Sequence, residues 1–142
     1  MKISKPKKSL GQNFLIDKNV INIITNAGNI TKHDAILEIG PGTGNLTKEI
    51  LSKFPKKIFA VEKDTKLCKE LLEEFNKKII IINDDVLQIN EKKLSDSPLI
   101  VFGNLPYNIS TQVLVKWIKF NELNKTFKKF ILMFQKEVAE RI

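Results

Sequence analysis

The segment Ala35-Ile-Leu-Glu-Ile-Gly-Pro-Gly-Thr-Gly44 constrains the fold of this chain more than any other. An apolar run of strand length enters glycines at 40, 42 and 44, and a helical pattern (Leu46, Ile50, Leu51, Phe54) follows. Strand, glycine-rich turn and helix form the nucleotide-binding half of a doubly wound sheet. Glycines there let the backbone approach a ligand that any Cβ would block. The spacing is G-x-G-x-G with Asn at 45. The dinucleotide fingerprint wants its third glycine one place later, so NAD is disfavoured. No Gly-Lys-Ser/Thr follows, so this is not a Walker phosphate loop.

The rest of the chain repeats that alternation. Strands are expected near 35–39, 57–62, 79–83, 99–103 and 129–134, and helices near 44–54, 64–76 and 111–120. Alternation of this kind means right-handed crossovers and a parallel sheet with helices on both faces. Before the first strand, Asp17 to about Ala27 reads as a helix (Val20, Ile21, Ile23, Ile24) with Gly28 placed to stop it. The second strand, KIFAVE, ends in Glu62, 22 residues after Gly40. A carboxylate there suits ribose hydroxyls. The third, Ile79 to Ile82, is wholly apolar, as a central parallel strand should be. It runs into Asn83-Asp84-Asp85, where Asp85 could accept from an adenine amine. With no pyrophosphate to bind, a nucleoside such as S-adenosylmethionine fits these features. Residues 90–98 read as a surface loop or short helix.

After the fourth strand comes Phe102-Gly-Asn-Leu-Pro-Tyr-Asn-Ile-Ser-Thr111. Asn and Pro are ordinary turn residues, but this turn also has the parts that a flipped nucleobase needs. Tyr107 offers a flat ring. The Asn104 side-chain oxygen and the carbonyls around Pro106 offer acceptors for an exocyclic amine. Ligands of doubly wound sheets sit at the carboxyl ends of the strands, and every one of these motifs falls there.

These residues resemble the ribosomal RNA adenine N6-dimethyltransferases, most closely the small-subunit (16S) enzymes. The resemblance runs from KKSLGQNFLID (7–17) through GPGTG, Glu62, Asp85 and GNLPYNIST to Gln135-Lys-Glu-Val-Ala139, nearly the whole chain in order. GQNFL with NLPYNIST is a specific pair, whereas GPGTG is shared by many methyltransferases. Phe134 departs from the family, which more often has a smaller aliphatic residue there. The resemblance implies an α/β, Rossmann-like class I methyltransferase fold with a mostly parallel sheet. It implies S-adenosylmethionine contacts at Asn13, Leu15, Gly40, Gly42, Glu62, Asp85 and Asn104, and target-base contacts at Asn104, Leu105, Pro106 and Tyr107. The implied activity is S-adenosylmethionine-dependent dimethylation of adenine N6 in small-subunit ribosomal RNA, free or in a pre-ribosomal particle, during ribosome assembly. A large-subunit methyltransferase of the macrolide-resistance type, with very similar motifs, is one alternative. A largely non-catalytic RNA-binding assembly factor is another. A complete sheet of this class has seven strands, and the dimethylases add a helical domain. The sheet is therefore expected to be truncated after about five strands, with the C-terminal strands and helical domain missing. Residues 1–16 form a basic arm carrying the GQNF motif, and 17–142 the cofactor-binding catalytic domain.

A chain of 142 residues suits one domain. Its net charge of +8 suits a nucleic-acid partner. All but Arg141 of the 24 basic residues are lysine, however. Bidentate phosphate recognition would favour arginine, so the charge supports RNA binding without proving it. Lysines 2, 5, 7 and 8 make the arm either a solvated terminus or a phosphate clamp beside the site. No apolar run approaches about 18 residues, so no membrane span is expected and a cytoplasmic location follows. Cys68 and His33 stand alone in their residue types, which leaves no metal-ligand cluster. Cys68 reads as packing and His33 as incidental. A monomer is expected, with a risk of self-association through the apolar strand edge Lys129 to Phe134.

Overall fold

The computed structural model describes residues 4–8, 12, 14–120 and 123–142. Its elements are α1 (Lys18–Gly28), β1 (Ala35–Ile39), α2 (Asn45–Leu51), β2 (Lys57–Val61), α3 (Thr65–Phe75), β3 (Ile80–Ile82), β4 (Leu99–Asn104), α4 (Ser110–Ile118), α5 (Leu123–Thr126), β5 (Phe127–Met133) and α6 (Lys136–Ala139). The strands form one sheet in the order β3-β2-β1-β4-β5. Every pairing is parallel. The fold is α/β and Rossmann-like, as the alternation predicts. No helix among the described residues is long and apolar enough to cross a membrane.

Alternate side chains of the strands feed two separate cores. Ile36, Ile58, Ile100 and Phe102 pack with Ile21 and Ile24 of α1, Leu46 and Ile50 of α2, and Leu71 and Phe75 of α3. On the other face Leu37, Phe59, Val61 and Val101 pack with Val113 and Trp117 of α4. No α-helix joins β3 to β4. That connection buries Val86 and packs Leu87, Ile89 and Leu94 against the second face, so it does a helix's work of covering the sheet.

Four local readings need correction. The isoleucine run forms the sheet's edge rather than its centre, and Ile80 is 42% exposed. Only Ile79, just before the strand, is fully buried. Gly28 does not stop α1. The helix runs through it and is capped by Asn29 in a left-handed conformation. Gly28 is instead required by packing, since a Cβ there would lie 2.5 Å from the Phe102 ring. The last strand begins at Phe127, two places before the expected start. The 90–98 segment does contain a short helix, the 3-10 turn Glu91–Lys93, but it is not wholly on the surface, since Glu91 is deeply buried.

Candidate active site

The strand order reverses between β1 and β4, and both strands end at one crevice. A Cβ placed on Gly40, just after β1, would lie 3.1 Å from the carbonyl oxygen of Asn104, the last residue of β4. Ligands of open α/β sheets bind at such a point. Here it opens into a cleft lined by residues from the ends of β1, β2 and β4 and from the segment that follows β3.

The GPGTG turn forms the floor. Gly40, Gly42 and Gly44 have φ of +67°, +59° and +87°, a region that residues with a Cβ rarely adopt. Gly44 has a second constraint, because a Cβ there would lie 2.5 Å from Phe75 of α3. The arm lines one side, with Leu15 and Gln12 facing the cleft. Asn45 donates from Nδ2 to the Leu15 carbonyl at 3.0 Å and so ties this segment to the turn.

Glu62 is buried at the end of β2. Its Oε2 accepts from the Gly42 backbone N–H at 3.3 Å, and its Oε1 from that of Asp64 at 3.0 Å. Burial raises its carboxyl above the ordinary value, while these backbone donors oppose the shift. A carboxylate has about four acceptor sites, so two backbone bonds leave capacity for ligand hydroxyls. Asp85, beyond β3, accepts from the Leu87 backbone N–H at Oδ1, 2.9 Å, and pairs with Lys63 at Oδ2, 3.3 Å. The side chain of Asn83 donates to the Glu62 and Lys63 carbonyls, which locks the two strand ends together.

Glu38 escapes a sequence reading. It points from the middle of β1 into the first core, is fully buried, and still borders the cleft. Its Oε2 accepts from the Thr47 hydroxyl of α2 at 2.6 Å. Burial raises its pKa to about 7, the Thr47 bond lowers it, and the nearby Glu62 raises it. Its only signal in the sequence is a charged residue inside an apolar strand. Cys68 is buried too, and burial pushes its thiol up to about 11, so it packs rather than reacts at neutral pH.

The NLPY turn forms the opposite wall. Asn104 and Pro106 line the cleft, and Asn108 and Ile109 join them. Leu105 is buried in the second core. Tyr107 is not among the residues that line the cleft; it is 49% exposed, and its hydroxyl donates to the Lys8 carbonyl at 3.3 Å. The Pro106 carbonyl accepts the backbone N–H groups of Ile109 and Ser110, both at 3.1 Å. Of the carbonyls expected to offer an acceptor here, that of Pro106 thus already has partners in the first turn of α4. The Leu105 carbonyl accepts no hydrogen bond from the described residues.

Leu15, Gly40, Gly42, Glu62, Asp85 and Asn104 thus meet in one cleft. Asn13, the remaining expected cofactor contact, lies outside the described residues. Within the arm, two side chains are tied to the body of the chain. Lys7 pairs with Asp64 at 2.9 Å, and Gln12 donates to the same carboxylate at 3.1 Å. Burial pushes the Asp64 carboxyl up, but these two partners, together with the Lys66 and Leu67 backbone N–H groups, hold it below its ordinary value.

The family model described as ribosomal RNA adenine dimethylase matches residues 3–142. "Ribosomal RNA small subunit methyltransferase A" of Pelagibacter ubique is 56% identical over 138 residues, which cover 97% of this chain and 52% of that protein. The protein of the same name from the Wolbachia of Brugia malayi is 48% identical over 142 residues, 97% of this chain and 53% of its own. The chain spans about half the length of the curated relatives it matches. Among solved structures, the 23S rRNA methyltransferase ErmE superposes with a TM-score of 0.76 at 28% identity, over 90% of this chain and 50% of that one. A dimethyladenosine transferase from Plasmodium falciparum superposes with a TM-score of 0.75 at 31% identity, over 91% and 46%.

Proposed function

We propose that this chain, which belongs to the ribosomal RNA adenine dimethylase family, carries the S-adenosylmethionine site and the target-adenine site of a small-subunit ribosomal RNA adenine N6-dimethyltransferase. One observation carries the reading. The glycine turn, two strand-end carboxylates and the Asn104–Pro106 turn converge on a single cleft at the switch point of the sheet. The donor set fits the cofactor. Glu62 has acceptor capacity for ribose hydroxyls, Asp85 for an adenine amine, and the positive-φ glycines leave room where a Cβ would stand. When bound, the cofactor supplies an electrophilic methyl group on a sulfonium.

The chain's own residues then have separable tasks. Adenine N6 is a poor nucleophile because its lone pair conjugates with the ring. The Asn104 side-chain oxygen and one backbone carbonyl hold its two hydrogens, which favours a tetrahedral nitrogen. With the Pro106 carbonyl occupied by α4, the Leu105 carbonyl is the second acceptor. Alignment and fixed dipoles do most of the work. No strong base is required, because the methylated ammonium is acidic enough to lose its proton to water. Tyr107 stacks on the extruded base. The arm and the lysine-rich surface hold RNA phosphates, in the cytoplasm and as a monomer.

Fold similarity does not separate small-subunit from large-subunit substrates, since the 23S enzyme and the dimethyladenosine transferase superpose equally well. The sequence relatives favour the small subunit. Calorimetric titration with S-adenosylmethionine tests the cofactor half. Glu62→Ala should weaken binding by roughly 1.5–3 kcal/mol for each lost hydrogen bond, and unchanged affinity would sink the ribose assignment. Labelled-methyl transfer to isolated small and large subunits tests the other half. Label on the large subunit alone would favour the macrolide-resistance reading.

A further inference from the structure

The connection between β3 and β4 carries Asp85 and Val86 into the cleft, yet it has no α-helix to hold it. It is held from across the second face by Lys116 of α4. The Lys116 ammonium donates to the Val86 carbonyl at 2.7 Å, the Ile89 carbonyl at 2.8 Å and Glu91 Oε1 at 2.8 Å. An ammonium has three protons, and all three go to this one connection. Glu91 is 2% exposed, and its Oε1 also accepts from Trp117 Nε1 at 2.8 Å. The clamp therefore joins two consecutive residues of α4 to the segment that follows Asp85.

A buried ion pair is a poor means of gaining stability alone, since an apolar filling of the same shape is often as stable. What this pair adds is direction. Asp85 precedes the first clamped carbonyl by a single residue. The helix that bears the clamp begins immediately after the Asn104–Ile109 turn. The two walls of the cleft are thereby linked through Lys116.

We propose that Lys116 and Glu91 are positioning residues for the cofactor. They fix the β3–β4 connection from α4 so that Asp85 and Val86 face the cleft, and they couple the adenine end of the site to the target-base turn. This rests on the S-adenosylmethionine reading of the cleft.

The test titrates the intact chain with S-adenosylmethionine in four forms: unmodified, Lys116→Met, Asp85→Ala and the double variant. Thermal unfolding is followed in parallel. Lys116→Met should weaken binding roughly tenfold or more, since small displacements of a contact group have large effects. In the Asp85→Ala background it should cost less than about threefold, because its effect passes through Asp85. Its loss of thermal stability should be the same in both backgrounds. Trp117, the only tryptophan, gives a second readout. Its emission should shift on cofactor binding to the unmodified chain and shift much less in Asp85→Ala. Should Lys116→Met not fold, Glu91→Gln preserves shape and the Trp117 acceptor, and the same non-additivity with Asp85→Ala is expected of it. Equal affinity losses in both backgrounds, or lower stability with unchanged affinity, would make the clamp a plain strut and overturn the proposal. An unmodified chain that binds no cofactor would take down both the reading of the cleft and this inference. Tight binding that ignores Lys116 would take down only the inference.

Discussion

The two walls of the crevice are built in opposite ways. On the β1–β2–β3 side the backbone itself is fixed. Three glycines hold positive φ, and Glu62 and Asp85 are each tied to backbone N–H groups. On the β4 side no residue from 104 to 109 has positive φ. Its backbone bonds converge on the Pro106 carbonyl, and Tyr107 stands half-exposed on one long hydrogen bond. The first wall is held by its own backbone, which under the proposed function suits the cofactor. The second is held by fewer bonds and carries the exposed Tyr107, which under the proposed function suits a base brought by RNA.

The contrast breaks if the first wall accepts a side chain where it needs glycine. Gly44→Ala would force a Cβ into left-handed backbone, at about 1–2 kcal/mol. It would also press on Phe75, and overpacking costs typically about 1–3 kcal/mol. A stability loss of roughly 2–5 kcal/mol is expected in urea denaturation. Asn108→Ala, on the exposed second wall, should stay within about 0.5 kcal/mol. Similar losses for both would erase the distinction.

The contrast sharpens at Glu38, beneath the first wall. Its folded pKa of about 7 lies above its ordinary 4.5, because burial disfavours the charge. The folded chain therefore holds the Glu38 proton to higher pH than the unfolded chain does. The stabilisation from that proton is complete below about pH 4.5 and is lost as pH rises through 7. Its ceiling is about 3 kcal/mol. Glu38→Gln keeps an acceptor for the Thr47 hydroxyl and removes the titration. The variant should gain stability relative to the unmodified chain between about pH 5 and pH 8, measured by denaturation at each pH. Parallel pH profiles would show that Glu38 is ionised throughout.

The alternation of apolar runs was enough to read five parallel strands, because each strand and helix carries its own periodicity. The cleft residues were legible for a related reason. Gly40, Gly42, Glu62, Asp85 and Asn104 all sit at strand ends, and one topological rule gathers strand ends. What stayed hidden depends on contacts that no local pattern encodes. Ile80 looks central by composition, yet the chain's crossover after β3 puts it at the edge. Gly28 looks like a helix stop, yet its reason is the Phe102 ring across the core. Glu91 looks solvated among lysines, and its partners Lys116 and Trp117 lie 25 and 26 residues away. Glu38 looks like an exception in its strand until Thr47 is placed above it.

The smallest expected effect lies on the second wall, at Tyr107. Its hydroxyl makes one 3.3 Å bond to the Lys8 carbonyl at an exposed position. Water can replace such a bond, so Tyr107→Phe should change stability and cofactor affinity by less than about 1 kcal/mol. The ring is a different matter. Base–aromatic stacking is worth about 1–3 kcal/mol, so Tyr107→Ala should weaken methyl acceptance by that amount while leaving cofactor titration unaltered. The phenylalanine variant keeps the ring and should methylate almost normally. Parallel losses of transfer in both variants would give the tyrosine's role to its hydroxyl and hence to the tether on the arm. In that case the second wall would be tied down no less firmly than the first, and the difference between them would rest on the glycines alone.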